Sequence, residues 1–241
     1  SHFQALAAAL SGTVGLGNIG GVALAIALGG PGAIFWMWIV GLLGMSIKFV
    51  EVTLAMLYRN TDDPDNPRGG PMWVAGSALK KMRPNLGWIG TLLAMMFSFT
   101  VMLSSGTGGN MFQAWNVADV TNEYFGVEGW ISGAILTVIV ASVLLGGIKR
   151  IGKVAGTLVP GMVLIYVIAG FYVLFANFGQ IPEMFVLIVN SAFTATDATG
   201  AFVGGTVGSA FLFGMKRAIF SNEAGQGSSA IAHAAVKTDE P

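Results

Sequence analysis

Residues Ser11–Gly21, SGTVGLGNIGG, bring five glycines, a threonine and an asparagine into an apolar run long enough to cross a membrane. Glycine loses the most backbone freedom on entering a helix, so a helix through this stretch is locally weak. In hydrocarbon, each N–H and C=O released by unwinding needs another partner. A break at membrane depth is tolerated only where it packs in protein or lines a water-filled cavity. An unwound Thr13–Asn18 would offer carbonyl oxygens to a sodium ion, with Thr13 and Asn18 adding side-chain oxygens. The N–H groups opening the following half-helix would suit a carboxylate, helped by the positive dipole end. The same glycines also fit close packing, since Gly17 and Gly21 have the small-xxx-small spacing of membrane helix pairs.

The element around this stretch is one of six apolar segments, each near the ~20 residues that a spanning helix needs. They are read at about Phe3–Leu28, Ala33–Tyr58, Leu86–Ser105 (extending toward Phe112), Trp130–Leu145, Val154–Phe175, and from Ala201 onward. Ile181–Phe193, led by Pro182, reads as a short interfacial helix, and Met72–Leu79 as a short amphipathic one. The chain has 241 residues, 54% hydrophobic and 10% charged, with mean hydropathy +0.72. Soluble domains carry about 25% charged residues, so the composition is that of a polytopic membrane protein. A net charge of zero leaves no nucleic-acid footprint. The absence of cysteine removes disulfides, thiolate nucleophiles and cysteine metal sites. No phosphate loop, nucleophile elbow or H-E-x-x-H motif is present, so the sequence is expected to be neither an enzyme nor ATP-coupled.

Charge orients the segments. Arg59, Arg68, Lys80, Lys81 and Arg83 follow segment two, Lys149, Arg150 and Lys153 follow segment four, and Lys216, Arg217 and Lys237 follow the sixth. The loops after segments three and five carry Asp119, Glu123, Glu128, Glu183 and Asp197 without lysine or arginine. The positive-inside rule then starts the first helix in the cytoplasm and ends the sixth there. Gly12-Thr13-Val14-Gly15 recurs as Gly205-Thr206-Val207-Gly208 on a segment of opposite direction. That is the pattern of an inverted five-helix repeat, or a chance recurrence of small residues.

Other polar residues have structural roles to fill. Lys48 and Glu51 lie one helical turn apart and are placed to pair. Ser98, Thr100, Ser104, Ser105 and Thr107 line segment three as hydroxyls for helix carbonyls or a pathway. Ser221 is read as an N-cap for a helix through Ala230–Val236, and Glu223 as a gate residue toward Lys216 or Arg217.

SHFQAL at Ser1–Leu6, GNIGGVALAIALGGPGAIFWMW at Gly17–Trp38, FVEVTLAMLYR at Phe49–Arg59 and FSNEAGQGSSAIAHAA at Phe220–Ala235 resemble the alanine/glycine:cation symporter family from end to end. The resemblance implies an all-α fold like that of the leucine transporter, with helices one to six of two inverted five-helix repeats and broken helices one and six. It implies a single transporter domain over 1–241, with further segments on either side in the whole protein. It also implies symport of a small neutral amino acid, alanine or glycine, with sodium (or a proton) as coupling ion and no other cofactor. The location would be the plasma membrane of a prokaryote. Carried over by position, substrate contacts fall on Thr13, Gly15, Gly17 and Asn18, faced by Thr206 and Phe213. Sodium falls on Thr13, Gly15 and Asn18. The break in helix six is expected at Gly204–Gly208, with Gly214–Asn222 as the alternative. Leu16 and Gly20 stand where the family commonly has threonine and alanine. A channel or a non-transporting membrane subunit are the competing classes, allowed by glycine-rich helices alone.

Overall fold

Glycine and alanine, not large side chains, make the interior of this chain. The computed structural model describes residues 2–64, 66–194 and 207–238. Among them, the buried apolar residues are alanines and two valines, Val159 and Val236, and no large side chain is fully enclosed. Large apolar side chains instead point outward, Phe49 at 73% and Ile165 at 71% exposure. Such a surface is unstable in water and suited to lipid. Four stretches are long and apolar enough to span a bilayer: Phe3–Gly29, Gly32–Leu57, Pro84–Phe125 and Lys149–Ala176. Gly129–Leu144 and Phe178–Phe193 are shorter apolar helices. The chain is an all-helical, multi-pass membrane protein.

The helices are α1 (His2–Thr13), α2 (Leu16–Gly29), α3 (Gly32–Leu57), α4 (Pro71–Met82), α5 (Gly87–Ser104), α6 (Phe112–Phe125), α7 (Gly129–Leu144), α8 (Gly147–Ala176), α9 (Ile181–Phe193), α10 (Val207–Asn222) and α11 (Ser228–Ala234). The third apolar segment runs further than expected. A π-helical stretch, Ser105–Met111, joins α5 to α6, so Asp119 and Glu123 lie on a helix and not in a loop. Lys216 and Arg217 likewise lie inside α10, where the sequence places them beyond a helix. The expected helices at Met72–Leu79 and Ile181–Phe193 are present as α4 and α9.

Two compact units form. The first comprises Ser1–Gly12, Phe49–Val159 and Gly225–Pro241. In it α4 and α5 make a hairpin. A Cβ on Gly90 of α5 would lie 2.5 Å from the Ala75 carbonyl oxygen of α4. Gly90→Ala is therefore expected to cost about 1–3 kcal/mol by overpacking. Thermal unfolding of the full-length protein in detergent reads this, with Gly41→Ala, which meets nothing within 4 Å, as the silent control. α6 turns into α7 through Gly126 in the left-handed conformation (φ +67°), and the Thr121 and Ser132 hydroxyls bond at 2.7 Å across the pair. α11 packs Ala230 and Ala234 on Ala55. The Arg59 guanidinium donates to the Val236 carbonyl at 2.7 Å and also to that of Thr238. The hydroxyls of Ser98, Thr100, Ser105 and Thr107 donate to carbonyls three or four residues earlier in their own helix. Their protons thus serve the helix.

The second unit comprises Thr13–Lys48 and Pro160–Ala224. Its organising contact is α2 against α10. Gly17, Gly21, Ala25 and Gly29 are the buried residues of α2, recurring every fourth position. Ala210, Gly214 and Ala218 repeat that spacing on α10, where Ala210 lies against Gly29 of α2 and Gly214 against Ala33 and Trp36 of α3. Small residues at this period let two backbones approach closely. Gly29 faces Ser209 and Ala210, Gly21 faces Arg217, and Gly17 faces Phe220, so the helices run antiparallel. α3 packs on α9, the Trp36 indole N–H donating to the Ala192 carbonyl at 3.4 Å. Phe35 and Trp36 meet Phe193 edge-on. The aromatic start of α3 thus grips α9.

Candidate functional site

The break within the first segment is real, and shorter than the sequence suggests. α1 ends at Thr13 and α2 begins at Leu16, leaving only Val14 and Gly15 outside helix. Asn18 explains the early restart. Its Oδ1 accepts the Gly15 N–H at 3.2 Å, and its own N–H donates to the Gly15 carbonyl at 3.0 Å. This is the reciprocal logic of a capping box, with an asparagine in the third helical position reaching back. Leu16, Gly17 and Asn18, expected to be unwound, form the first turn of α2.

The other end of the Asn18 amide leaves the helix. Nδ2 donates to Ser221 Oγ on α10 at 2.8 Å. One side chain therefore starts α2, bridges the break and fixes it to α10. Gly17 supports this junction: a Cβ there would sit 3.0 Å from Phe220 Cε1. The Arg217 guanidinium lies 5.8 Å from the centre of the Phe220 ring, a cation–π arrangement. Thr13 is half-buried as the last residue of α1. A helix start leaves N–H groups without intrahelical acceptors, and a helix end leaves carbonyls likewise. The N–H groups that open α2 thus stand at the positive end of its dipole, beside Val14–Gly15.

Phe213, expected to face the break, is placed elsewhere. Phe213 packs its Cβ near Gly29, at the far end of α2, about 18 Å along the helix from Gly17. Antiparallel packing brings Phe220 and Ser221 to the break instead. Thr206 lies outside the described residues, as do Gly204 and Gly205. The echo of Gly12–Gly15 is not matched in its described half: Val207 and Gly208 open α10, whereas Val14 and Gly15 are unwound. Ser221 is not an N-cap for α11, which starts after Gly227; it belongs to α10 and serves Asn18.

A second helix break follows Asn222, between α10 and α11. The Gly214–Asn222 alternative is thus displaced: Gly214 lies mid-helix, where a Cβ would sit 2.5 Å from the Ala33 carbonyl oxygen. Glu223 has φ +52°, a left-handed conformation that non-glycine residues seldom adopt. Lys48 Nζ donates to the Glu223 carbonyl at 3.0 Å, and Asn222 Oδ1 accepts the Ala224 N–H at 2.9 Å. In the first unit, Glu51 Oε2 accepts the Gly225 N–H at 3.2 Å. Lys48 and Glu51, read as a mutual pair, each hold a backbone group of this turn. The signal for all of this was SNEAG itself, a polar, glycine-bearing run beside an apolar helix.

The chain matches the model of the sodium:alanine symporter family over residues 1–241. It is 46% identical, over its whole length, to the sodium/alanine symporter AgcS of Methanococcus maripaludis, covering 51% of that protein. It is 40% identical to a probable sodium/glutamine symporter, GlnT, of Bacillus subtilis, covering all of this chain and 48% of that protein. It is 35% identical to a sodium/proton-dependent alanine carrier protein of Bacillus sp. strain PS3, covering all of this chain and 51% of that protein. The chain spans about half the length of the curated relatives it matches. A transporter family, a helix broken beside Thr13 and Asn18, and an outward-facing apolar surface agree with one another: the chain belongs to the sodium:alanine symporter family.

Proposed function

We propose that the whole protein is a sodium-driven symporter of a small neutral amino acid, alanine or glycine, in the plasma membrane of a prokaryote. The break at Val14–Gly15, stapled by Asn18 to Ser221, is the observation that carries this. Sodium is a hard cation that takes oxygen ligands, and unwound backbone carbonyls supply them in broken-helix transporters. The Thr13 hydroxyl, the Gly15 carbonyl and Asn18 Oδ1 are the oxygens at hand. The N–H groups opening α2 are set to bind the substrate carboxylate. Phe220, pressed on Gly17, limits the room beside them and favours a short side chain.

Transport then proceeds by alternating access. Sodium entering the break stabilises the outward-open arrangement, because it binds that arrangement better. The amino acid binds next, and both leave on the inner side. In this proposal the two breaks, at Val14–Gly15 and after Asn222, are the discontinuous first and sixth helices of an inverted repeat. The rest of the second repeat would lie in the other half of the whole protein. Relatives are named for alanine and for glutamine, which supports differences of cargo within the family, and Leu16 in the first turn of α2 is the residue through which this chain would set its own choice.

Reconstituting the full-length protein in vesicles with an inward sodium gradient tests the function. The expected result is saturable accumulation of labelled alanine, lost when potassium replaces sodium and competed by glycine. A proton gradient that drives uptake without sodium would make the proton the coupling ion. Non-saturating conductance, or no accumulation from a folded protein, would overturn symport.

A further inference from the structure

The first turns of α8 carry a cationic groove that neither helix break uses. Lys149, Arg150 and Lys153, all exposed, line an open groove of about 760 Å³ together with Gly146, Thr157 and Leu158. None of the three cations makes an ion pair or hydrogen bond among the described residues. No aspartate or glutamate stands in the sequence between Glu128 and Glu183. Three like charges on adjoining turns repel one another, and no acidic side chain from the flanking chain relieves them.

The groove is shaped by its glycines. Gly147 takes φ +70° and turns the chain from α7 into α8. Arg150 folds its aliphatic stem over Gly146 so closely that a Cβ at Gly146 would collide with it. The Arg150 stem is thereby packed on Gly146 within the groove lining. Beside the cations the lining is apolar: Leu158 is 58% exposed, and neighbouring Leu145 is 89% exposed. Lys149–Ala176 is long and apolar enough to span a bilayer, which would set the cations near headgroup depth and Leu158 inside the apolar layer.

We propose that this groove binds an anionic phospholipid, its phosphate among Lys149, Arg150 and Lys153 and an acyl chain along Leu158. The pairing of unpaired cations with an exposed apolar lining at one depth matches that amphiphile and not a free anion. Basic clusters at a membrane surface attract anionic lipid by about fivefold per lysine or arginine.

The test uses full-length protein in nanodiscs of phosphatidylcholine with about one fifth phosphatidylglycerol, released into native mass spectrometry to count retained lipids. The wild type is expected to retain phosphatidylglycerol at least tenfold over phosphatidylcholine. Combined Lys149→Gln, Arg150→Gln and Lys153→Gln is expected to abolish that selectivity, and each single change to lower it about fivefold. Gly146→Val keeps every charge but dislodges Arg150, and is expected to lose about as much as Arg150→Gln. Lys149→Arg with Lys153→Arg is expected to retain selectivity. Equal selectivity in the wild type and the triple variant would overturn the proposal. So would displacement of the retained lipid by millimolar inorganic phosphate. If the triple variant does not fold, Gly146→Val and the single changes decide the matter.

Discussion

Asn18→Ala is expected to reduce sodium-driven uptake by the full-length protein about thirtyfold while leaving it folded. The substitution removes the acceptor of the Gly15 N–H and the donor to Ser221 Oγ together. Leaving such partly buried groups without partners costs on the order of 2 kcal/mol. If that cost falls on the arrangement that binds sodium, it appears as a thirtyfold loss. Ser221→Ala removes only the strut to α10 and is expected to cost about fivefold. Asn18→Asp keeps the acceptor for Gly15 and is expected to fall between the two. Uptake assays in vesicles, normalised to folded protein, rank the three. An Asn18→Ala protein with wild-type uptake would dissociate the break from transport.

Gly214→Val is expected to have the larger effect on stability. A Cβ there would lie 2.5 Å from the Ala33 carbonyl oxygen and 2.9 Å from Trp36 Cβ. The first of these neighbours is backbone and has no rotamer to give. Separating α10 from α3 would also disturb its contact with α2, because Phe213, the adjoining residue, packs on Gly29. Overpacking of this kind costs about 3 kcal/mol at its upper range. The expected readout is loss of a monodisperse full-length protein in detergent, or a thermal midpoint lowered by several degrees. A fully stable Gly214→Val protein would refute the close approach of α10 to α3.

These two residues show what could be learned from the residues alone. Glycines at Gly17 and Gly21 supported either a break or close packing, and the chain uses neighbouring glycines for each. Gly15 opens the helix, whereas Gly17, Gly21 and Gly29 let α10 approach. Composition and hydropathy located the spans, and Pro182 marked the start of α9. The partner of the break was not legible. It depends on the register of two helices about two hundred residues apart in sequence. Moving from Phe213 to Phe220 along α10 is a shift of two turns, which residue types do not reveal. The run SNEAG was misread for a related reason. A serine before a helical pattern suits an N-cap, and only tertiary placement shows that Ser221 closes one helix and staples another.

In the proposed mechanism the break at Val14–Gly15, set by Asn18, binds sodium. The most direct measurement is sodium affinity of the full-length protein at equilibrium, by calorimetry, for the wild type and Asn18→Ala. The expected result is sodium binding weakened at least tenfold in Asn18→Ala, with thermal stability in sodium-free buffer changed far less. Equal sodium affinity in the two proteins, both folded, would contradict the account.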